Sequence, residues 1–117
     1  MTCPICDRGA PLGILVERPT TWITSDVEAP GRGYLCVVAK RHVVEPFELE
    51  GGERSAFWED VLFAAERLTR LAAVHKLNYE IHGNTLAHLH AHVYALDSRF
   101  EAVENVPLGE LRAALSG

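Results

Sequence analysis

No run of this sequence is apolar for long enough to cross a bilayer. The longest uncharged apolar stretches, Tyr34–Ala39 and Val61–Ala65, fall far short of the about 20 residues that a spanning helix needs. The opening Met1-Thr2-Cys3-Pro4 lacks a basic segment followed by an apolar one, so no secretory signal is read there. Both absences predict a cytoplasmic protein with no membrane partner. Linkers rich in Gly, Ser or Pro, low-complexity runs and internal repeats are missing too. The 117 residues, 48% hydrophobic, are therefore expected to form one compact domain, 1–117, with a real core. Positive charge is not in surplus either. A net charge of −5 disfavours broad contact with DNA or RNA, although a pocket of N–H donors can still hold a small anion. Cysteine is scarce and odd in number, three in all, which argues against a disulfide framework. Cys36, inside Tyr34-Leu35-Cys36-Val37-Val38, reads as a small core residue.

What is present has a clear order. Cys3-Pro4-Ile5-Cys6 leads into the turn-rich Asp7-Arg8-Gly9-Ala10-Pro11. Leu12–Glu17 and Thr20–Thr24 read as two short strands of a hairpin around Arg18-Pro19. Glu28-Ala29-Pro30-Gly31-Arg32-Gly33 is a loop, and it feeds a strand, Tyr34–Ala39, that is apolar on both faces. From Glu53 to about Leu77 the period changes: Phe57, Val61, Leu62, Ala65, Leu68, Leu71 and Ala72 recur at helical spacing. Leu77–Gly83 and His88–Leu96 follow as an antiparallel pair across a tight Gly83-Asn84 connection. Pro107 then opens a short helix, Leu108–Leu115. The expected fold class is α+β, a mainly antiparallel sheet with one long helix and a short C-terminal helix. His75 falls near the end of the long helix, where the helix dipole favours a cation. His82 is expected at a solvent-facing strand position.

The chemistry concentrates in His88-Leu89-His90-Ala91-His92-Val93. Side chains alternate across a strand, so the three histidines share one face while Leu89, Ala91 and Val93 share the other. Burying three imidazoles costs desolvation unless each is hydrogen-bonded or ligates a metal. That leaves metal ligation or nucleophilic and acid–base catalysis as the uses open to them.

The run H-φ-H-φ-H-φ resembles the histidine triad (HIT) family of nucleotide hydrolases and transferases. Cys3-Pro4-Ile5-Cys6, the segment Pro30–His42 ending in Lys40-Arg41-His42, and Asn78–Asn84 ending in Gly-Asn are similar to family features in the same order. The resemblance implies that His90 is the nucleophile at the α-phosphorus of a nucleotide, forming a nucleotidyl-histidine intermediate. It implies that His92 hydrogen-bonds the phosphate and leaving group, that Asn84 and Thr85 hold phosphate oxygens, and that Asp26 meets the ribose hydroxyls. A homodimer is implied as well. Neutral imidazole is nucleophilic near pH 7, in agreement with these roles. The nucleotide base is expected on early-strand apolar residues, near Trp22 or Ile23. Two departures stand out: Tyr34 where many relatives have a second histidine, and Tyr94-Ala95-Leu96 where many have Pro-Arg after the triad. Arg99 follows a few residues later, and nothing in the sequence places it at the site.

Cys3 and Cys6 supply two soft ligands on a tight turn, a common half-site for tetrahedral zinc, and His42 and His88 are the natural candidates for the other two, which the resemblance to zinc-bearing members supports. A closed site of this kind is structural, and no catalytic metal is required. Two alternatives stay open: a nucleotide-binding module with little turnover, and a metalloprotein with catalytic zinc on the three strand histidines.

Overall fold

The structure, a computed structural model, describes residues 2–26 and 31–117. Residues 28–30 of the expected loop, and with them Pro30 of the Lys-Arg-His segment, lie outside the described residues. Three α-helices, α1 (Pro4–Arg8), α2 (Gly51–Leu68) and α3 (Leu108–Leu115), accompany five strands among the described residues. The strands are β1 (Ile14–Glu17), β2 (Thr21–Thr24), β3 (Tyr34–Ala39), β4 (Lys76–Ile81) and β5 (His90–Leu96). They form one antiparallel sheet in the order β1-β2-β3-β5-β4. This is the α+β arrangement read from the sequence. No helix among the described residues is long and apolar enough to cross a membrane.

Each face of the sheet has its own packing. Leu35 and Val37 of β3, with Ala91 and Val93 of β5, turn toward α2 and meet Phe57, Val61, Ala64, Ala65 and Leu68. Tyr34, Cys36 and Val38 turn the other way, onto Ile5 of α1 and the flanking Trp22, Leu86 and Tyr94. All six residues of β3 are buried, which is why its sequence is an unbroken apolar run without alternation. Gly33, just before β3, sits where a Cβ would lie 3.0 Å from that of Ala95 and 3.2 Å from that of Val103. Its backbone bonds to both neighbours, donating to Val103 O and accepting from Ala95 N, each at 2.7 Å. A side chain at this position would force those two segments apart.

The long helix is shorter than its pattern predicts. It ends at Leu68, and the N–H groups of Thr69, Arg70 and Leu71 bond three residues back, to Glu66, Arg67 and Leu68. Ala73 then takes a left-handed φ of 66°, which reverses the chain. Leu71 reaches the core from this turn, so the helical spacing continues in the sequence after the helix has stopped. His75 consequently lies beyond the helix end: its N–H donates to Leu96 O and its ring meets Phe100 edge-on. The tight Gly83-Asn84 connection is likewise corrected. Residues 82–89 join β4 to β5, because Leu89 pairs its backbone with Ala39 and Val43 before the β5 ladder begins.

Asp60 is the unexpected core residue. It stands among polar positions of the helix pattern, yet it is 4% exposed. Its carboxylate accepts from Arg18 Nε at 3.0 Å and from Thr21 Oγ1 at 2.7 Å, tying α2 to the β1–β2 hairpin. The Arg18 guanidinium also lies 4.2 Å from the centre of the Phe63 ring. Asp60→Ala should lower unfolding stability by about 2 kcal/mol, since it orphans a buried hydroxyl and a half-buried cation. Urea denaturation checks this, and a stability change below about 0.5 kcal/mol contradicts it.

Candidate active site and metal centre

Strand β5 is flanked by β3 and β4, and its alternation separates two environments. Ala91, Val93 and Ala95 are buried on the α2 side, while His90, His92 and Tyr94 project from the opposite face. His90 Nδ1 lies 2.6 Å from the main-chain oxygen of His88. A carbonyl only accepts, so Nδ1 carries the proton and the Nε2 lone pair is left free. No other hydrogen bond to the His90 ring occurs among the described residues. In this tautomer the ring keeps its lone pair at Nε2, the form that a nucleophilic role would need.

His92 sits beside it, with ring centres 4.8 Å apart and nearly perpendicular planes. Its Nδ1 is 2.7 Å from the phenolic oxygen of Tyr34. Burial pushes the His92 pKa down, and the neighbouring His90 and His82 reinforce the shift, so the ring is neutral near pH 7. Tyr34 stacks on both His92 and Tyr94, at 5.6 and 4.8 Å between centres. Its phenol is pushed well above the usual range, mainly by burial, and stays protonated.

His88 has turned to a separate task. It precedes β5, is 1% exposed, and donates Nε2–H to Ala39 O at 2.6 Å. Its Nδ1 faces Cys3 Sγ at 3.4 Å, Cys6 Sγ at 3.8 Å and His42 Nδ1 at 3.0 Å. Cys6 Sγ is in turn 3.4 Å from His42 Nδ1, and the four ligand atoms all lie within 4.8 Å of one another. Tetrahedral zinc with ordinary Zn–S and Zn–N bonds sets its ligand atoms roughly 3.3–3.8 Å apart. The cluster therefore fits such an ion with little adjustment. The bond from His88 Nε2 to a carbonyl also fixes the ring as metal-binding histidines are usually fixed. Burial lowers the His88 pKa, which favours the neutral, ligating form. Sequence reasoning thus named all four members. Local folding explains the two cysteines: Cys3 caps α1, whose single turn brings the Cys6 N–H onto Cys3 Sγ.

With both His88 nitrogens engaged, none remains for an ion shared with His90 and His92. The alternative of a catalytic zinc on all three strand histidines is overturned by this geometry. The other expected residues are less tightly gathered. Asn84 and Thr85 are exposed on the 82–89 connection and make no side-chain hydrogen bond to the triad. Asp26, just after β2, pairs with Arg32 Nε at 3.3 Å. Ile23 is fully buried against the α2 side and offers nothing to a ligand, whereas Trp22 lies on the triad face. Arg99 is exposed in the turn after β5, its backbone N–H bound to Asp97.

Arg32 was not singled out in the sequence. Its guanidinium lies 5.1 and 5.3 Å from the Tyr34 and Tyr94 ring centres, so the cation flanks the His92 stack. Strand alternation carried the signal, because Arg32, Tyr34 and Cys36 are spaced by two. His82 is also at the edge of this face, 5.9 Å from the His92 ring centre and bonded to Glu80 at 3.0 Å.

No protein-family model matches the sequence, and no curated protein matches it. Solved structures do. A histidine triad protein from Bradyrhizobium japonicum superposes with a TM-score of 0.74 at 16% identity, covering 98% of this chain and 94% of that one. A Hit-like protein involved in cell-cycle regulation from Bartonella henselae gives 0.73 at 14% identity, over 94% and 91% of the two chains. A histidine triad protein from Marinobacter aquaeolei gives 0.70 at 17% identity, over 88% and 85%. By sheet order, by helix placement and by these superpositions, the chain has the fold of the histidine triad proteins.

Proposed function

We propose that this chain is a histidine triad nucleotide hydrolase or nucleotidyl transferase, acting at the α-phosphorus of a dinucleoside polyphosphate or nucleoside phosphoramidate. The observation that carries the reading is the pair of opposed imidazoles: His90 with Nδ1–H held by His88 O, and His92 beside it with Nδ1 held by Tyr34. The His90 Nε2 lone pair forms a bond to phosphorus while the bond from phosphorus to the leaving group breaks, and the leaving group departs with that electron pair. His92 Nε2–H donates to the phosphate and leaving-group atoms, where negative charge grows. Water then attacks phosphorus, the P–N electron pair returns to His90, and the surplus proton passes to the leaving group or solvent. Asn84, Thr85 and backbone N–H groups of their loop are assigned to the phosphate oxygens, and Asp26 to the ribose. Donors of this kind hold an anion without a basic cluster, in keeping with a net charge of −5.

Tyr34 and Tyr94 favour one second reading, a nucleotide-binding module with little turnover, because their stacked rings occupy the face next to His92. His90→Ala decides between them. Under the leading reading, turnover of a nucleoside phosphoramidate falls by at least about a thousandfold while nucleotide affinity and fold persist. A variant with near-parental kcat rules out the nucleophile. A parent protein without a single-turnover burst on any such substrate favours the binding module.

The Cys3, Cys6, His42 and His88 cluster is assigned a structural zinc, which would pin α1 beneath the triad strand and leave no open coordination position for chemistry. Zinc should copurify at about one per chain, and Cys6→Ser should lower both the zinc content and the thermal midpoint, because binding is coupled to folding. Elemental analysis finding no metal in protein purified without chelator, with Cys6→Ser as stable as the parent, contradicts the assignment.

A homodimer has a suitable surface. Strand β4 is an outer strand of the sheet, and Trp58, Leu62, Tyr79 and Ile81 are 43, 56, 52 and 42% exposed beside it. These four line an apolar depression of about 400 Å³. Leu62→Glu should convert the dimer to monomer in sedimentation velocity, since a charge would be buried at a paired apolar face. Identical sedimentation of parent and variant excludes this surface.

A further inference from the structure

The two departures from the family pattern, Tyr34 and Tyr94, meet each other directly. They are register partners on β3 and β5 and their rings stack. Both rings meet His92, and of the two hydroxyls that of Tyr34 bonds to it, with the phenolic oxygen 2.7 Å from His92 Nδ1. Two polarities are possible for that contact. Either the phenol donates and His92 carries its proton on Nε2, or Nδ1–H donates and Nε2 is bare. The surroundings of the phenol decide between them. Among the described residues its oxygen makes no other hydrogen bond. A phenolic O–H buried on this face therefore finds its one good acceptor in the imidazole lone pair. The rings assist, because Tyr34 packs against both His92 and Tyr94, whose rings also meet each other, with the Arg32 guanidinium 5.1 Å from its ring centre, so the ring that carries the hydroxyl has little freedom to move.

We propose that Tyr34 is a positioning residue: its hydroxyl donates to His92 Nδ1 and thereby fixes His92 as the Nε2–H tautomer, with that N–H presented at the triad face. This goes beyond the proposed function and rests on it for one point, that His92 donates to the phosphate. The two imidazoles then have complementary tautomers set by two different partners. The His88 carbonyl makes His90 a lone-pair donor at Nε2, and the Tyr34 hydroxyl makes its neighbour a proton donor at Nε2. Without the hydroxyl, His92 is free to place its proton on either nitrogen, and part of the population presents a lone pair to an anionic phosphate.

The test compares Tyr34→Phe, which keeps the ring and its stack, with Tyr94→Phe, which removes a hydroxyl that bonds to no triad residue. Imidazole ¹⁵N–¹H NMR reads the His92 tautomer directly, and steady-state kinetics on a nucleoside phosphoramidate reads its use. Expected for Tyr34→Phe is a kcat about tenfold lower, KM within about twofold of the parent, and a His92 spectrum shifted from Nε2–H alone to a mixture. Tyr94→Phe should match the parent in both readouts. Parental kcat with an unchanged His92 spectrum in Tyr34→Phe overturns the proposal. So do equal losses in the two variants, which would assign the effect to the stack, and so does a rise in KM alone. If the parent turns over no nucleotide, the functional reading fails separately. The tautomer shift in Tyr34→Phe then supports the positioning role, and its absence overturns it.

Discussion

One residue, His88, holds this molecule's two sites in register. Its Nε2–H is committed to Ala39 at the end of β3, its Nδ1 faces the two cysteines and His42, and its main-chain oxygen holds the nucleophile candidate His90. The side chain belongs to the cluster of Cys3, Cys6 and His42, and the backbone to the triad face. A shift of His88 therefore moves both, and a metal drawn to Nδ1 would anchor the carbonyl that sets the His90 tautomer. Such coupling is how a cluster with no open position could matter two residues away. It would lend rigidity to a hydrogen bond whose direction decides which His90 nitrogen keeps its lone pair.

The sheet around His88 serves the same end. Strand β5 is paired on both sides, to β3 and β4, so its backbone is fixed by ladders across most of its length. One of its faces is sealed by Ala91 and Val93 against the α2 core, at 1 and 0% exposure. A one-residue slip would exchange His90, His92 and Tyr94 for Ala91, Val93 and Ala95 and bury the histidines among Phe57, Val61 and Ala64. The desolvation cost of that exchange makes the register strongly specified. The apolar half of the strand is thus what orients the polar half.

Legibility in the sequence followed how local each cause was. The triad face was readable because strand alternation depends on nothing beyond neighbouring residues, and the C-x-x-C was readable because one helical turn brings its two sulfurs together. The end of α2 was not. Leu71 keeps the helical spacing while packing from a turn, and only the reversal at Ala73 separates the two conformations. The 82–89 connection was misjudged because Gly-Asn mimics a two-residue hairpin turn, whereas the pairing of Leu89 with Ala39 and Val43 is long-range. Asp60 falls between the apolar positions of the helical pattern, and its burial depends on Arg18 and Thr21 arriving from another element. Among the site residues, Tyr34 was visible only as a departure. Its contact with His92 required the β3–β5 register, which no periodicity supplies.

The electrostatics of the face fit its acidic setting. A protein of net charge −5 repels a polyanion at long range, so whatever holds a phosphate must act at contact. Protonated histidines would do so at the expense of nucleophilicity, because an imidazolium has no lone pair to offer. Here the partial burial of His92 and the proximity of His90 and His82 push the His92 ring toward neutrality. A neutral ring can still stabilise an anion if its N–H points outward, and that direction is set by what occupies the other nitrogen. The cation beside the tyrosines stays off His90 and His92: Arg32 lies over the tyrosine rings and binds Asp26. Charge is therefore held at the rim of the face that carries His90 and His92. Under the proposed reading, that division lets one strand present an imidazole lone pair and an imidazole N–H side by side.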